Sequence, residues 1–234
     1  MAQFPRYAVY FVPHPDDPLY RFGAGMLGYD AFNGVELQFP DDVAAAIPDW
    51  RELTDDPRKY GFHATLKAPM TLAPDAGEAD LILALEDFAD KPRQIPTITP
   101  VARTLSGFTA IVPEHPVPAL NHLADACVTV FDPFRAALTP QDRARRNPAR
   151  LGERQVAYLE RWGYPYVFEE FRFHMTLTGR LAPERRGEIL AIVRRDFARL
   201  NLTRLAIDRI ALCRQVNPQS RFTVIGHWPL RAAS

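Results

Sequence analysis

Two short stretches hold the residues best suited to chemistry in this 234-residue chain: YGFHATLKAP at 60–69 and FRFHMTLTGR at 171–180. Each places a histidine two positions before a threonine inside an apolar, strand-like run: His63-Ala64-Thr65-Leu66 and His174-Met175-Thr176-Leu177. Residues i and i+2 of a strand project from one face. His63 is therefore expected beside Thr65, and His174 beside Thr176, with the intervening residues turned to a core. Two imidazoles and two hydroxyls suit phosphodiester cleavage. A neutral histidine takes a proton from the attacking oxygen and a protonated one gives a proton to the leaving oxygen, since imidazole titrates near neutrality. The hydroxyls donate to the non-bridging oxygens, and this scheme requires neither a metal nor another cofactor.

Four flanking residues are further candidates for the wall of such a site. Lys67, two residues beyond Thr65, extends the same predicted face and would add positive charge. Arg172 precedes His174 by two and shares its predicted face; Arg180 follows the second tetrad. Tyr60 lies three residues before His63 and falls on the opposite face of a regular strand, where packing is its alternative role. Tyr164 and Tyr166 in WGYPYVFEEF could stack on a base or sugar, but a packed aromatic loop is the favoured account. His115 and His122 suit surface or capping positions, and His227 at the end of the last strand suits a structural one.

Alternation with β-branched and aromatic enrichment predicts strands at 6–12, 60–67, 96–102, 107–113, 170–177, 204–214 and 221–227. Helical periodicity predicts helices at 18–29, 41–53, 77–90, 117–131, 153–162 and 183–200, with Pro or Gly at most ends. The result is a mixed helix-and-strand chain, neither a bundle nor a sandwich. TLAPDAGEADLILALEDFA at 71–89 and RLAPERRGEILAIVRRDFA at 180–198 share Leu-Ala-Pro, Gly-Glu and Asp-Phe-Ala in one order. A proline fits a helix start, where its missing N–H is not needed. We infer a duplicated strand–helix–strand unit in one bilobal domain, lobe one about 1–113 and lobe two about 114–234. The Arg- and Pro-rich stretch 132–152 reads as a surface loop with a solvated charged face.

Two His-x-Thr-x tetrads about a hundred residues apart in a duplicated chain resemble the two-histidine phosphoesterase superfamily. The contexts of both tetrads, with RYAVYFVP near the start and FTVIGHWPL near the end, are most similar to the branch associated with phosphonate-utilisation operons. The resemblance covers essentially the whole chain. It implies an α+β, bilobal, pseudo-twofold fold of antiparallel-rich sheets facing a central groove. It also implies His63 and His174 as the catalytic pair and Thr65 and Thr176 as phosphate ligands. The implied activity is hydrolysis of a small sugar or nucleotide cyclic phosphate, such as phosphoribosyl 1,2-cyclic phosphate. An RNA 2',3'-cyclic phosphodiesterase or ligase-like enzyme, and a phosphate-binding module without turnover, are the alternatives.

A rival metal chemistry is visible in YFVPHPDDPLYRFG at 10–23. A strand followed by His14-Pro15-Asp16-Asp17 resembles the opening motif of zinc-dependent deacetylases, in which histidine and aspartate bind the metal. Pro18 replaces the usual glutamate, and no later His-x-x-His segment completes a site. The alternative is that Asp16 or Asp17 caps the following helix.

Bulk properties narrow the partners. The 28 basic and 28 acidic residues cancel, which argues against a whole-molecule grip on nucleic acid and favours a small phosphorylated substrate over RNA. No apolar run approaches a membrane span and no signal peptide is seen, and Cys127 and Cys213 lack metal or redox spacing. A cytoplasmic protein with no membrane partner is the expectation.

Overall fold

The computed structural model describes residues 4–233. Alternating and continuous apolar runs build the seven strands of the main sheet: β1 (Arg6–Phe11), β2 (Ala64–Met70), β3 (Pro100–Leu105), β4 (Phe108–Pro113), β5 (Met175–Thr176), β6 (Arg209–Gln215) and β7 (Thr223–Pro229). They form one antiparallel sheet in the order β7-β6-β1-β2-β5-β4-β3. β1 is buried along nearly its whole length, flanked by β6 and β2. Five longer helices accompany the sheet: α1 (Pro18–Leu27), α2 (Glu78–Asp90), α3 (Pro118–Phe131), α4 (Glu153–Trp162) and α5 (Arg186–Ala198). α2 packs on β6 and β7, α5 on β3 and β4, and α3 on β2. The chain is an α+β fold with antiparallel sheets.

The duplicated unit is visible in this arrangement: each tetrad strand has its own helix further along the chain, and each helix covers the outer strands of one half-sheet. The halves of the sheet are not the halves of the sequence, however. The 100–113 hairpin pairs with the strand of the second tetrad, whereas β6 and β7, from 209 onward, complete the half-sheet of the first. Each half-sheet thus draws strands from both sides of the boundary near 113. The two halves meet through one residue pair, Ala64 with Met175.

Several element ends differ from expectation for local reasons. The helix predicted over 41–53 splits into Asp41–Ala46 and Trp50–Leu53, because Pro48 cannot continue the first piece. The strand predicted over 170–177 shrinks to Met175–Thr176. Before it, Phe168 takes a left-handed conformation (φ 53°) at the start of a short 3-10 turn, Phe168–Glu170. Pro183 opens the 3-10 turn leading into α5, but Pro74 sits in the loop ahead of α2, whose N-cap is Gly77. The 132–152 stretch contains a short helix, Pro140–Arg145, and two 3-10 turns, and its Asp132 is buried rather than solvated. Asp17 is the N-cap of α1, its carboxylate accepting from the Leu19 N–H at 2.8 Å. Among the described residues no helix is long and apolar enough to cross a membrane.

Candidate active site

The Ala64–Met175 pair sets the register of the two tetrads. One step on either side places His63 opposite Thr176 and Thr65 opposite His174. Directly opposed residues of an antiparallel pair share a face, so all four polar side chains stand on one face of a continuous sheet. The two histidines are diagonal neighbours, a relation that separates residues by roughly 7–8 Å and their Cβ atoms by somewhat less. His63, His174 and Thr176 line one cavity of about 260 Å³, with Tyr60, Phe108 and Arg180 in its wall. Thr65 lines an adjoining cavity of about 480 Å³, which His174 and Arg180 also border.

Both imidazoles are fixed in the same way. His63 Nδ1–H donates to the Gly61 carbonyl at 2.9 Å, and His174 Nδ1–H donates to the Arg172 carbonyl at 2.7 Å. A carbonyl can only accept, so each contact selects the Nδ1–H tautomer of the neutral ring and leaves Nε2 with its lone pair. The Thr65 hydroxyl donates to His63 Nε2 at 3.2 Å. Gly61 reaches its position with φ 73°, and a Cβ there would come within 2.7 Å of the Ala31 Cβ; the residue has to be glycine for the carbonyl to point at His63.

Aromatic neighbours complete the setting. The Tyr10 ring stacks on His63 at 3.8 Å between centroids, and Phe108 lies 5.5 Å from His174. Burial of the imidazole, reinforced by the nearby His174 and opposed by the Gly61 carbonyl, pushes His63 down to about 4. Burial lowers His174 too, though less far, against the pull of the Arg172 carbonyl. At neutral pH both rings are therefore neutral; Nε2 of His63 accepts from the Thr65 hydroxyl and Nε2 of His174 keeps its lone pair.

The flanking candidates divide. Tyr60 lines the histidine cavity, its ring 6.1 Å from His63 and stacked on Phe222; it precedes the strand, which starts at Ala64, so the alternation of faces does not govern it. Arg172 lines the larger cavity, its guanidinium held by the Glu169 and Phe171 carbonyls. Arg180 borders both cavities. Tyr164 and Tyr166 also line the larger cavity, edge to face at 5.5 Å; they form a packed pair and a wall at once.

Lys67 does not serve this face. Thr65 pairs with Tyr10 whereas Lys67 pairs with Val9, so the ladder is shifted between them by a β-bulge at Leu66. Tyr10 and Val9 are consecutive and point oppositely, and Thr65 and Lys67 therefore do so as well. Lys67 is buried, donating to Asp132 at 2.7 Å and to the Val128 carbonyl at 3.2 Å. Asp132 is kept ionised, its desolvation outweighed by hydrogen bonds from Arg135 and Lys67.

Tyr10 and Phe108 are the site residues that the reading of the sequence missed. The available signal was an aromatic residue in the strand that pairs beside each tetrad, but it needs the sheet order to be recognised. His227 is structural, its Nε2 bonded to the Val12 carbonyl at 2.9 Å. Among the described residues no group of three or more His, Cys, Asp or Glu side chains is placed to hold a metal ion, at the 14–17 segment or elsewhere.

Comparison with known proteins adds context. The chain is 37% identical over 221 residues to a Janthinobacterium sp. (strain Marseille) protein named ribose 1,5-bisphosphate phosphokinase PhnN, covering 93% of this chain and 49% of that one. It is 36% identical over 180 residues to the protein of the same name from Laribacter hongkongensis (strain HLHK9), covering 75% of this chain and 40% of that one. The chain thus spans half or less of the length of these curated relatives. Two crystal structures, one described as a phosphoesterase and one as E. coli LigT complexed with NADP+, align over 98% of this chain and 99% of their own. Their TM-scores are 0.39 and 0.40, at 14% and 16% identity. A family described as "Protein of unknown function (DUF1045)" matches residues 65–223, and the chain belongs to that family.

Proposed function

We propose that the chain is a cyclic phosphodiesterase of the two-histidine type, acting on a small phosphorylated sugar without a metal. The observation that supports this most directly is the pairing of His63-Thr65 with Thr176-His174 across one strand junction, with both imidazoles locked in the same tautomer. In the proposed reaction, water attacks phosphorus while His63 Nε2 takes its proton. The phosphorus–oxygen bond to the leaving group breaks, and protonated His174 gives its proton to that oxygen. An arriving anion favours the charged form of a nearby histidine. His174, the less depressed of the two, is then the ring that protonates on binding. Thr65 and Thr176 donate to the non-bridging oxygens.

The name carried by the curated relatives supports a phosphoribosyl substrate. Opening the five-membered ring of 5-phosphoribosyl 1,2-cyclic phosphate at its O2–phosphorus bond leaves phosphate on O1, which is ribose 1,5-bisphosphate. That product is the compound in the relatives' name. The only lysines of this sequence follow Arg58, Leu66 and Asp90, so it holds no Gly-Lys of a P-loop.

EDTA-treated protein incubated with cyclic phosphates of ribose, nucleotides and short RNA is expected to open a ribose cyclic phosphate fastest. His63→Ala and His174→Ala should each lower that turnover about a hundredfold or more. Full activity in both variants would end the acid–base assignment, and affinity without product would point to a binding module.

A further inference from the structure

A third cavity, of about 350 Å³, shares Tyr60 with the histidine cavity and plays no part in the chemistry above. Arg6, Arg135, Arg145 and Arg146 line it, against a single carboxylate, Asp142. Tyr60 belongs to its wall and also to the wall of the histidine cavity. Arg146 lies over the ring of Tyr164, 4.8 Å from its centroid, and Tyr164 in turn lines the groove with Thr65 and His174. The arginine cavity thus shares Tyr60 with the histidine cavity and is linked to the groove through the Arg146–Tyr164 contact.

The charges in this cavity are not balanced locally. Arg135 is held by Asp132, but the same carboxylate also receives Lys67 and Arg161, three cations to one anion. Arg6 donates through Nε and Nη2 to the neutral Gln215 side-chain oxygen. Asp142 accepts from the Thr139 hydroxyl and stands 3.6 Å from Arg145. Arg146 has no carboxylate partner among the described residues. A chain with no net charge has therefore gathered a surplus of guanidinium groups in one recess. Guanidinium forks match the oxygens of phosphate, and a recess shields them less than open solvent does.

We propose that this cavity is a second anion subsite, which takes a phosphomonoester carried by the same molecule whose cyclic diester meets His63 and His174. The diester half of that statement rests on the phosphodiesterase reading; the anion half rests on the arginines alone. The substrate class is then a small sugar bearing two phosphates, one cyclic and one terminal.

Two measurements test the subsite separately from the chemistry. In the first, 5-phosphoribosyl 1,2-cyclic phosphate is compared with its 5-hydroxyl analogue. The phosphorylated compound should be favoured about tenfold or more in kcat/KM, and Arg145→Ala/Arg146→Ala should bring the ratio close to one, acting through KM. An unchanged ratio in that variant, or no preference in the natural protein, overturns the subsite. In the second, ribose 5-phosphate is titrated calorimetrically into the inactive His63→Ala/His174→Ala protein. Binding that weakens about tenfold or more on adding the two arginine substitutions supports the subsite, whether or not any cyclic phosphate is hydrolysed. Absent or unaltered binding rejects it. Failure of both cyclic compounds to react, with ribose 5-phosphate still bound through the arginines, would defeat the phosphodiesterase reading and leave the anion subsite standing.

Discussion

His63 and His174 occupy equivalent places in a repeated pattern, yet their surroundings differ. His63 is pressed against Tyr10, receives the Thr65 hydroxyl on Nε2 and is driven to about 4. His174 has an aromatic neighbour at a looser 5.5 Å and is lowered less far. The continuations of the two tetrads differ too. After Thr65 a bulge sends Lys67 through the sheet to Asp132, whereas the corresponding Thr178, two residues past β5, accepts from Thr109 N–H and donates to the Gly179 carbonyl. A duplicated sequence pattern therefore delivers two imidazoles with one tautomer but unequal proton affinity. The proposed acid–base chemistry uses that inequality to give the two rings different roles.

The comparison can be broken at its structural end first. Asp132→Ala would leave Lys67, Arg135 and Arg161 without their common carboxylate. Loss of one partner of a buried pair typically costs about 3–5 kcal/mol, so chemical denaturation should show a loss of that size. A change under 1 kcal/mol would mean that the bulged strand does not depend on this ion pair.

A second test concerns the inequality itself. His63 titrates near 4 in the folded protein, below the ordinary histidine value of about 6.5, so the unfolded chain binds more protons between those values. Stability should be complete above about pH 6.5 and fall as pH drops toward 4, by about 3 kcal/mol. His63→Ala should flatten much of that slope and His174→Ala less of it. Equal flattening by the two variants would erase the distinction drawn here.

The smallest effect is expected from the hydroxyls. Thr65→Val and Thr176→Val should each reduce turnover about tenfold, the worth of one neutral hydrogen bond. Only Thr65→Val should also shift the acid limb of the pH–rate profile, because only Thr65 contacts its histidine. Matching profiles in the two variants would show that this contact has no influence on His63.

The order of elements and the two tetrads were legible because their signals are local: period-two alternation around His63 and His174, proline and glycine at the helix ends, and an echoed Leu-Ala-Pro segment. What lay beyond the sequence was set by pairing between distant strands. Lys67 was misplaced because a bulge breaks the i+2 rule at Leu66, and a bulge leaves no mark in residue type. Tyr10, whose ring stacks on His63, is its neighbour only through the β1–β2 pairing. The arginines of 132–152 read as a solvated face because nothing local shows that Arg6 and Tyr60 close a cavity around them.

The exchange of strands between the half-sheets has a consequence for assembly. One edge of β1 is met by residues 64–70, but its other edge waits for β6, where Arg6 finds Gln215, 209 positions along the chain. Such long-range closure is slow relative to local folding. The strand carrying Tyr10, the support of His63, is therefore among the last to be fully enclosed. A chain interrupted before β6 would contain both histidines and both threonines and still lack the framework that tunes them, so activity would report that the whole chain had folded.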